Sequence, residues 1–334
     1  MQTKKNDYEL MTARKYVSCH ELEEAAILFS DGITHCSEYA SNKMKKWEKI
    51  KLDYNQYKNI DELMKRLVEQ KKRIIQDNIE GKLTICTQCP KLHEGYWKTD
   101  KLIRQINLSL DSSCNLRCCY CYKRDQEHFV RKQRDIVELI KKIKKSSLTK
   151  IEYPILYSSG EIAIQPNLSA IIEEIEEYEV CIFSNGTIFD HELLKIIQKT
   201  GSFMLISIDS GTKETYRKIK GVDLFEQVYE NIKKYIFCGG KIVLKYILLE
   251  ENVGNDDLTG FIQMCKQLHI YNIRISSDFG QGNISSSVKN AFIKLAYMAQ
   301  KNGINVYTHD VYEIYSAMGC VSAKDDFYER NKSF

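Results

Sequence analysis

Cys114-Asn115-Leu116-Arg117-Cys118-Cys119-Tyr120-Cys121 sets three cysteines at Cys-x3-Cys-x2-Cys spacing inside one short loop. Such a loop can wrap three thiolates around one face of an iron–sulfur cube, whereas a [4Fe–4S] cluster has four irons and a protein cage normally offers four thiolates. One iron is left open for another ligand. Two plainer readings compete. The thiols are ordinary buried cysteines, or they are half of a zinc site with His128 as the local fourth ligand. Cys119 lies inside the loop but off the spacing and reads as a bystander thiol.

Outward from this loop, residues 105–276 alternate short β-rich runs with helical patterns, the mark of a parallel α/β fold. The strands are expected at 105–110, 151–157, 180–184, 203–208, 242–249 and 271–276, and the helices at 132–145, 168–177, 191–199, 225–236 and 258–268. Small polar residues gather at successive strand ends. They are Ser159-Gly160-Glu161, then Ser184-Asn185-Gly186-Thr187, then Ser207-Ile208-Asp209-Ser210-Gly211 with Glu214-Thr215-Tyr216 and Gly221 after it. An ammonium needs acceptors and a glycine lets backbone approach closely, so Gly160 and Glu161 suit an amino group. In a strand, Ser207 and Asp209 would alternate with Ile208 and point the same way.

Together the cysteine spacing and the ordered strand-end motifs resemble the radical S-adenosylmethionine (radical SAM) superfamily. The resemblance implies a partial (β/α)6 TIM-like barrel, with its chemistry at the carboxyl ends of the strands. It further implies a [4Fe–4S] cluster on Cys114, Cys118 and Cys121, with S-adenosylmethionine chelating the open iron. Ser159-Gly160-Glu161 is similar to the family's Gly-Gly-Glu-Pro, with Ser159 in place of the first Gly and Ile162 in place of the Pro. That element holds the methionine amino group. Ser184-Asn185-Gly186 and Ser207-Ile208-Asp209 are similar to the elements that contact the ribose hydroxyls and the methionine carboxylate. Tyr120 occupies the place of an aromatic that shields the cluster and packs by the adenine. Lys245 and Arg274 either face the barrel interior, where they would hold a carboxylate, or are solvent-facing or core-paired charges; strand phase alone does not choose.

Residues 1–100 differ in character and are expected to form a smaller helical, Cys-containing extension, with 101–280 as the barrel and 281–334 as a carboxy-terminal helix and tail. Asn59 can cap a helix whose apolar positions recur at helical spacing until Gly81 stops it. Cys19, Cys36, Cys86 and Cys89 flank that helix and make a second constellation. Four thiolates would saturate an auxiliary iron–sulfur cluster, and zinc competes, with His20 and His35 as substitute ligands. Asp31-Gly32-Ile33-Thr34-His35-Cys36 is faintly similar to the Gly-x4-Cys element of SPASM extensions, though it lies before the barrel instead of after it.

At 334 residues the chain exceeds the usual single-domain size, and 43% hydrophobic content is that of a globular protein. No apolar run approaches the roughly 18 residues of a membrane span, and the amino terminus lacks a signal-type segment, so a cytoplasmic protein with no membrane role is expected. A net charge of +4 gives no ground for nucleic-acid binding. The twelve cysteines suit metal or redox chemistry better than disulfides in a reducing compartment. The basic run from Arg131 to Lys145 reads as a solvated helix face or as a dock for an acidic donor such as flavodoxin or ferredoxin. The expected activity is radical SAM hydrogen abstraction from a peptide or small molecule, with an oxidative outcome if an auxiliary cluster is present. The rivals are a glycyl-radical-activating enzyme and a non-catalytic iron–sulfur or zinc scaffold.

Overall fold

The computed structural model describes residues 13–36, 51–57, 59–87, 89, 91–109, 113–121, 136–158, 160–278 and 284–308. The chain forms two compact units, Met1–Leu110 with Val130–Ile155, and Asp111–Phe129 with Leu156–Phe334. Ser159, His128, Arg131 to Arg134 and Cys320 lie outside the described residues.

The first unit contains β1 (Ala13–Ser18), α1 (His20–Glu24), β2 (Ala25–Phe29), β3 (Gly32–Thr34), β4 (Leu52–Asp53), α2 (Ile60–Ile79), β5 (His93–Lys98), β6 (Gln105–Ser109) and α3 (Ile136–Lys145). The expected capped helix is α2. The Asn59 side chain accepts from the Glu62 amide at 2.9 Å, satisfying a donor the helix cannot, and Gly81 follows the helix at φ 69°. Leu63, Met64, Leu67, Val68, Ile74 and Ile75 form its buried face. The stretch also supplies strands that periodicity did not reveal. β2 runs parallel to β6 and antiparallel to β3, β3 pairs antiparallel with β4, and β1 pairs antiparallel with β5. Ala25-Ala-Ile-Leu-Phe29 is too short and too uniformly apolar to show a period, because Ala25 to Leu28 are all buried.

His35, just after β3, is fully buried, and neither ring nitrogen has a hydrogen-bond partner among the described residues. Burial pushes its pKa from 6.5 to about 3, and nearby Lys71 adds to this. The unfolded chain therefore takes up a proton that the folded chain refuses, so stability falls as pH drops from 6.5 toward 3. His35→Phe is expected to raise the melting temperature and flatten that acid limb, measured by thermal melts across pH. An unchanged acid limb would mean that His35 finds a polar partner.

The second unit carries β7 (Ile155–Tyr157), α4 (Leu168–Ile175), β8 (Val180–Ser184), α5 (His191–Ile197), β9 (Phe203–Ser207), α6 (Lys213–Lys220), α7 (Phe225–Phe237), β10 (Ile242–Leu248), α8 (Asn255–Gln267), β11 (Asn272–Ser277), α9 (Ser286–Lys301) and β12 (Asn305–Thr308). Its strand order is β7-β8-β9-β10-β11-β12, and β8 through β12 pair in parallel. This is the alternating α/β architecture expected from the sequence. The strand expected at 151–157 is shorter, since the amides of Glu152 and Tyr153 both turn to the Arg104 carbonyl and Pro154 has no amide to donate. Cys181, Phe203, Leu205 and Val243 form a buried cluster on one sheet face. Two residues further along β9 and β10, on the same face, Ser207, Lys245, Arg274 and Tyr307 form a cross-strand row.

Candidate functional site

The Cys114–Cys121 loop is clamped at both ends within the second unit. At one end the Ser113 carbonyl accepts from the Glu161 amide at 2.7 Å. At the other, the Arg117 and Cys119 amides donate to the Lys220 and Ile219 carbonyls at 3.0 and 2.8 Å. These carbonyls belong to the last turn of α6, where a helix leaves acceptors without internal partners. α6 stops at Gly221, φ 74°, and a Cβ there would stand 3.0 Å from the Arg117 carbonyl oxygen. A left-handed cap without a side chain is what lets loop and helix end meet.

Within this loop the charges of Cys114, Cys118 and Cys121 act on one another. Cys114 Sγ accepts from the Leu116 amide at 3.5 Å and the Asn185 side-chain amide at 3.7 Å. Burial pushes the Cys118 thiol up to about 11, opposed by the Lys220 charge, so metal loading must displace protons from these thiols. Cys119 is exposed and feels Glu251 and Asp278. Among the described residues no three His, Cys, Asp or Glu side chains close around a single metal ion. Three thiols in one short loop suit a cluster whose irons each take a separate thiolate.

Glu161 joins the ends of β7 and β8. Fully buried, it accepts from Ser184 Oγ at 2.8 Å, the Asn185 amide at 2.7 Å and the Ala163 amide at 3.1 Å. Burial raises its pKa while these donors pull it down. Asn185 extends the link, donating to Asn115 Oδ1 at 2.8 Å and accepting from Thr187. Gly160 adjoins Glu161 and is partly buried.

At the end of β9 the shared direction expected for Ser207 and Asp209 does not follow. Asp209 has φ 54°, so the strand's alternation ends before it. Its buried carboxylate accepts from the Ile247 amide at 2.7 Å and the Tyr120 hydroxyl at 2.6 Å, and pairs with Lys220 Nζ. Tyr120 also takes a hydrogen bond from Lys220 and packs against Ile219, Ile247 and Leu249. Burial alone would depress the Lys220 ammonium, but Asp209 and Cys118 hold it charged. Sequence reasoning missed Lys220. Its signal is its place directly before the cap Gly221, one helical turn beyond Tyr216.

In the first unit burial pushes the Cys19 thiol up to about 12, and Cys86 and Cys89 lie near enough for charge on them to push it the same way. Cys19 and Cys86 are buried with Leu22, Ile74 and Ile75, and Cys19 Sγ caps α1 by accepting from the Leu22 amide at 3.4 Å. Among the described residues neither these three cysteines nor any of them with Cys36 form a group that could hold a single metal ion. Cys36 is partly buried directly after His35.

Residues 108–260 match the radical SAM superfamily. The GTP 3′,8-cyclase of Chlorobaculum tepidum is 24% identical over 171 residues, covering 50% of this chain and 51% of that protein. A probable GTP 3′,8-cyclase of Methanococcus maripaludis is 30% identical over 171 residues, covering 50% of this chain and 56% of that protein. The chain spans about half the length of these curated relatives. Streptococcus suis SuiB bound to S-adenosylmethionine superposes with a TM-score of 0.53 at 11% identity, over 78% of this chain and 60% of SuiB. SuiB bound to its precursor peptide SuiA gives 0.51 at 11% identity, over 92% and 75%. The likeness is one of fold. No helix among the described residues is long and apolar enough to cross a membrane.

Proposed function

From the radical SAM domain that this chain carries over residues 108–260, we propose an enzyme that abstracts a hydrogen atom from a carbon of a peptide or small-molecule substrate. When bound, the [4Fe–4S] cluster and S-adenosylmethionine of this family supply the one-electron cleavage that yields a 5′-deoxyadenosyl radical. One observation carries the reading. A three-thiol loop is hydrogen-bonded directly to the strand ends that bear Glu161 and Asn185, which supports reading the three thiols and these residues as parts of one site.

In this assembly Cys114, Cys118 and Cys121 hold the cluster. Glu161 orients the cofactor's amino group with the acceptor capacity left after its three protein donors. Gly160, Ser184, Asn185, Ser207 and Asp209, with Ser159 from outside the described residues, are the proposed surroundings of the cofactor, and Tyr120 the proposed wall of the cluster. Lys245 and Arg274, neighbours in the row with Ser207, suit an anionic group on the substrate or cofactor. Cys19, Cys86 and Cys89, with Cys36, are the proposed auxiliary site, as separate thiolates of an iron–sulfur cluster and not as the shell of a single ion. The reductant is a low-potential flavodoxin or ferredoxin. On α3, Lys141, Lys142 and Lys145 are exposed while Ile136, Leu139, Ile140 and Ile143 are buried, which supports a solvated basic face open to an acidic donor.

The test is anaerobic reconstitution with iron and sulfide, followed by dithionite and S-adenosylmethionine. Release of 5′-deoxyadenosine and methionine is expected. Incubation with cell extract should then reveal one metabolite or peptide of altered mass. A protein that takes up iron but never cleaves the cofactor would instead be a scaffold.

Glu161→Gln is expected to keep the cluster's visible absorption and to weaken S-adenosylmethionine binding about ten-fold, as a charge-assisted hydrogen bond of about 1.5–3 kcal/mol becomes a neutral one. Equilibrium binding to the reconstituted protein checks this. Unchanged affinity would give the amino group to another acceptor.

A further inference from the structure

Tyr216 on α6 is 0% exposed, and its hydroxyl has no hydrogen-bond partner among the described residues. Leaving such a group unpaired costs about 1–3 kcal/mol, so folded chains rarely tolerate one. Its surroundings show what is missing. The charges of Cys118, Asp209, Cys114 and Glu161 all reach this side chain. The ring is fixed from behind by an edge contact with Phe225, centroids 5.6 Å apart.

The two carboxylates do not take the proton. Asp209 is occupied by Ile247, Tyr120 and Lys220, and Glu161 by Ser184, Asn185 and Ala163, its remaining acceptor capacity being the part proposed for the cofactor's amino group. The hydroxyl is thus a buried, unpartnered donor on the helix whose last turn clamps the cysteine loop through the Ile219 and Lys220 carbonyls, with the carboxylates of Asp209 and Glu161 otherwise engaged. Sulfurs of an iron–sulfur cluster accept hydrogen bonds, and such bonds help set the cluster's potential.

We propose that Tyr216 is a cofactor-binding residue whose hydroxyl donates to a sulfur of the cluster held by Cys114, Cys118 and Cys121. The inference rests on that cluster reading and deepens it. A donor at a cluster sulfur favours the reduced, more negative state. Losing it makes reduction harder.

Tyr216→Phe removes only the hydroxyl and keeps the ring that packs on Phe225. Metal-free Tyr216→Phe is expected to melt at or above the metal-free wild type, because an unpartnered polar atom is gone. After reconstitution with iron and sulfide it should hold as much iron as wild type. Its reduction equilibrium should shift about ten-fold toward the oxidised cluster, or ~59 mV for a one-electron couple, read by redox titration followed by electron paramagnetic resonance. A wild-type potential in loaded Tyr216→Phe would overturn the inference. So would a loss of melting temperature already present without metal, since the hydroxyl would then have a protein partner. A wild-type chain that takes up no iron would overturn the cluster reading itself, a separate result.

Discussion

Replacing Cys114, Cys118 and Cys121 together by Ala is expected to reduce 5′-deoxyadenosine release to the background of a reaction without protein, and to remove the iron of the proposed cluster. Among the described residues no fourth thiol is poised to substitute. Cys119 is exposed toward Glu251 and Asp278, and its amide is committed to Ile219. Cys119→Ala should accordingly keep full iron content and activity. The metal-free triple variant should melt near the metal-free wild type, because the loop is held by backbone bonds from Arg117, Cys119 and Glu161 that need no thiol. Iron analysis, product chromatography and thermal melts read the three expectations separately. Continued cofactor cleavage by the triple variant would place the cluster elsewhere.

Lys220→Met is expected to destabilise the second unit by about 3–5 kcal/mol, the cost of stripping one partner from a buried ion pair. Lys220 is 1% and Asp209 0% exposed, so solvent cannot screen the carboxylate left behind. The Ile247 amide and the Tyr120 hydroxyl still bind that carboxylate, but neither carries a charge. Against typical stabilities of about 5–15 kcal/mol the loss is large, and a melting temperature lower by roughly 10 °C follows. The double variant Asp209→Asn with Lys220→Met removes both charges and should recover most of the loss. Denaturant unfolding of the three proteins checks this. If the double variant were no more stable than Lys220→Met alone, packing of the lysine stem, and not the charge, would be what matters.

The sequence by itself determined the parts of this protein whose information is local. The Cys-x3-Cys-x2-Cys spacing lies in one loop, and the motifs ending in Glu161, Asn185 and Asp209 follow strands whose apolar runs are visible in order. Asn59 and Gly81 mark the ends of α2 because capping needs are met by residues within a turn of the helix end. Tertiary structure alone decided the rest. α6, Lys-Glu-Thr-Tyr-Arg-Lys-Ile-Lys, reads as a polar surface helix, and nothing in its pattern says that Lys220 is buried while Lys218 is exposed. That choice is made by Asp209 and by Tyr120, a hundred residues from Lys220. The same holds for Tyr216, whose missing partner is apparent only once the loop and the strand ends surround it. It holds too for β2, which joins β6 across a long stretch of chain, and for Cys19, which is buried in one cluster with Cys86 from beyond α2. Helix caps and ligand spacing are set by covalent neighbours and so are written along the chain. Burial of a charge, strand partnership and the convergence of distant thiols are set by which surfaces pack together, and only the folded chain brings those surfaces into contact.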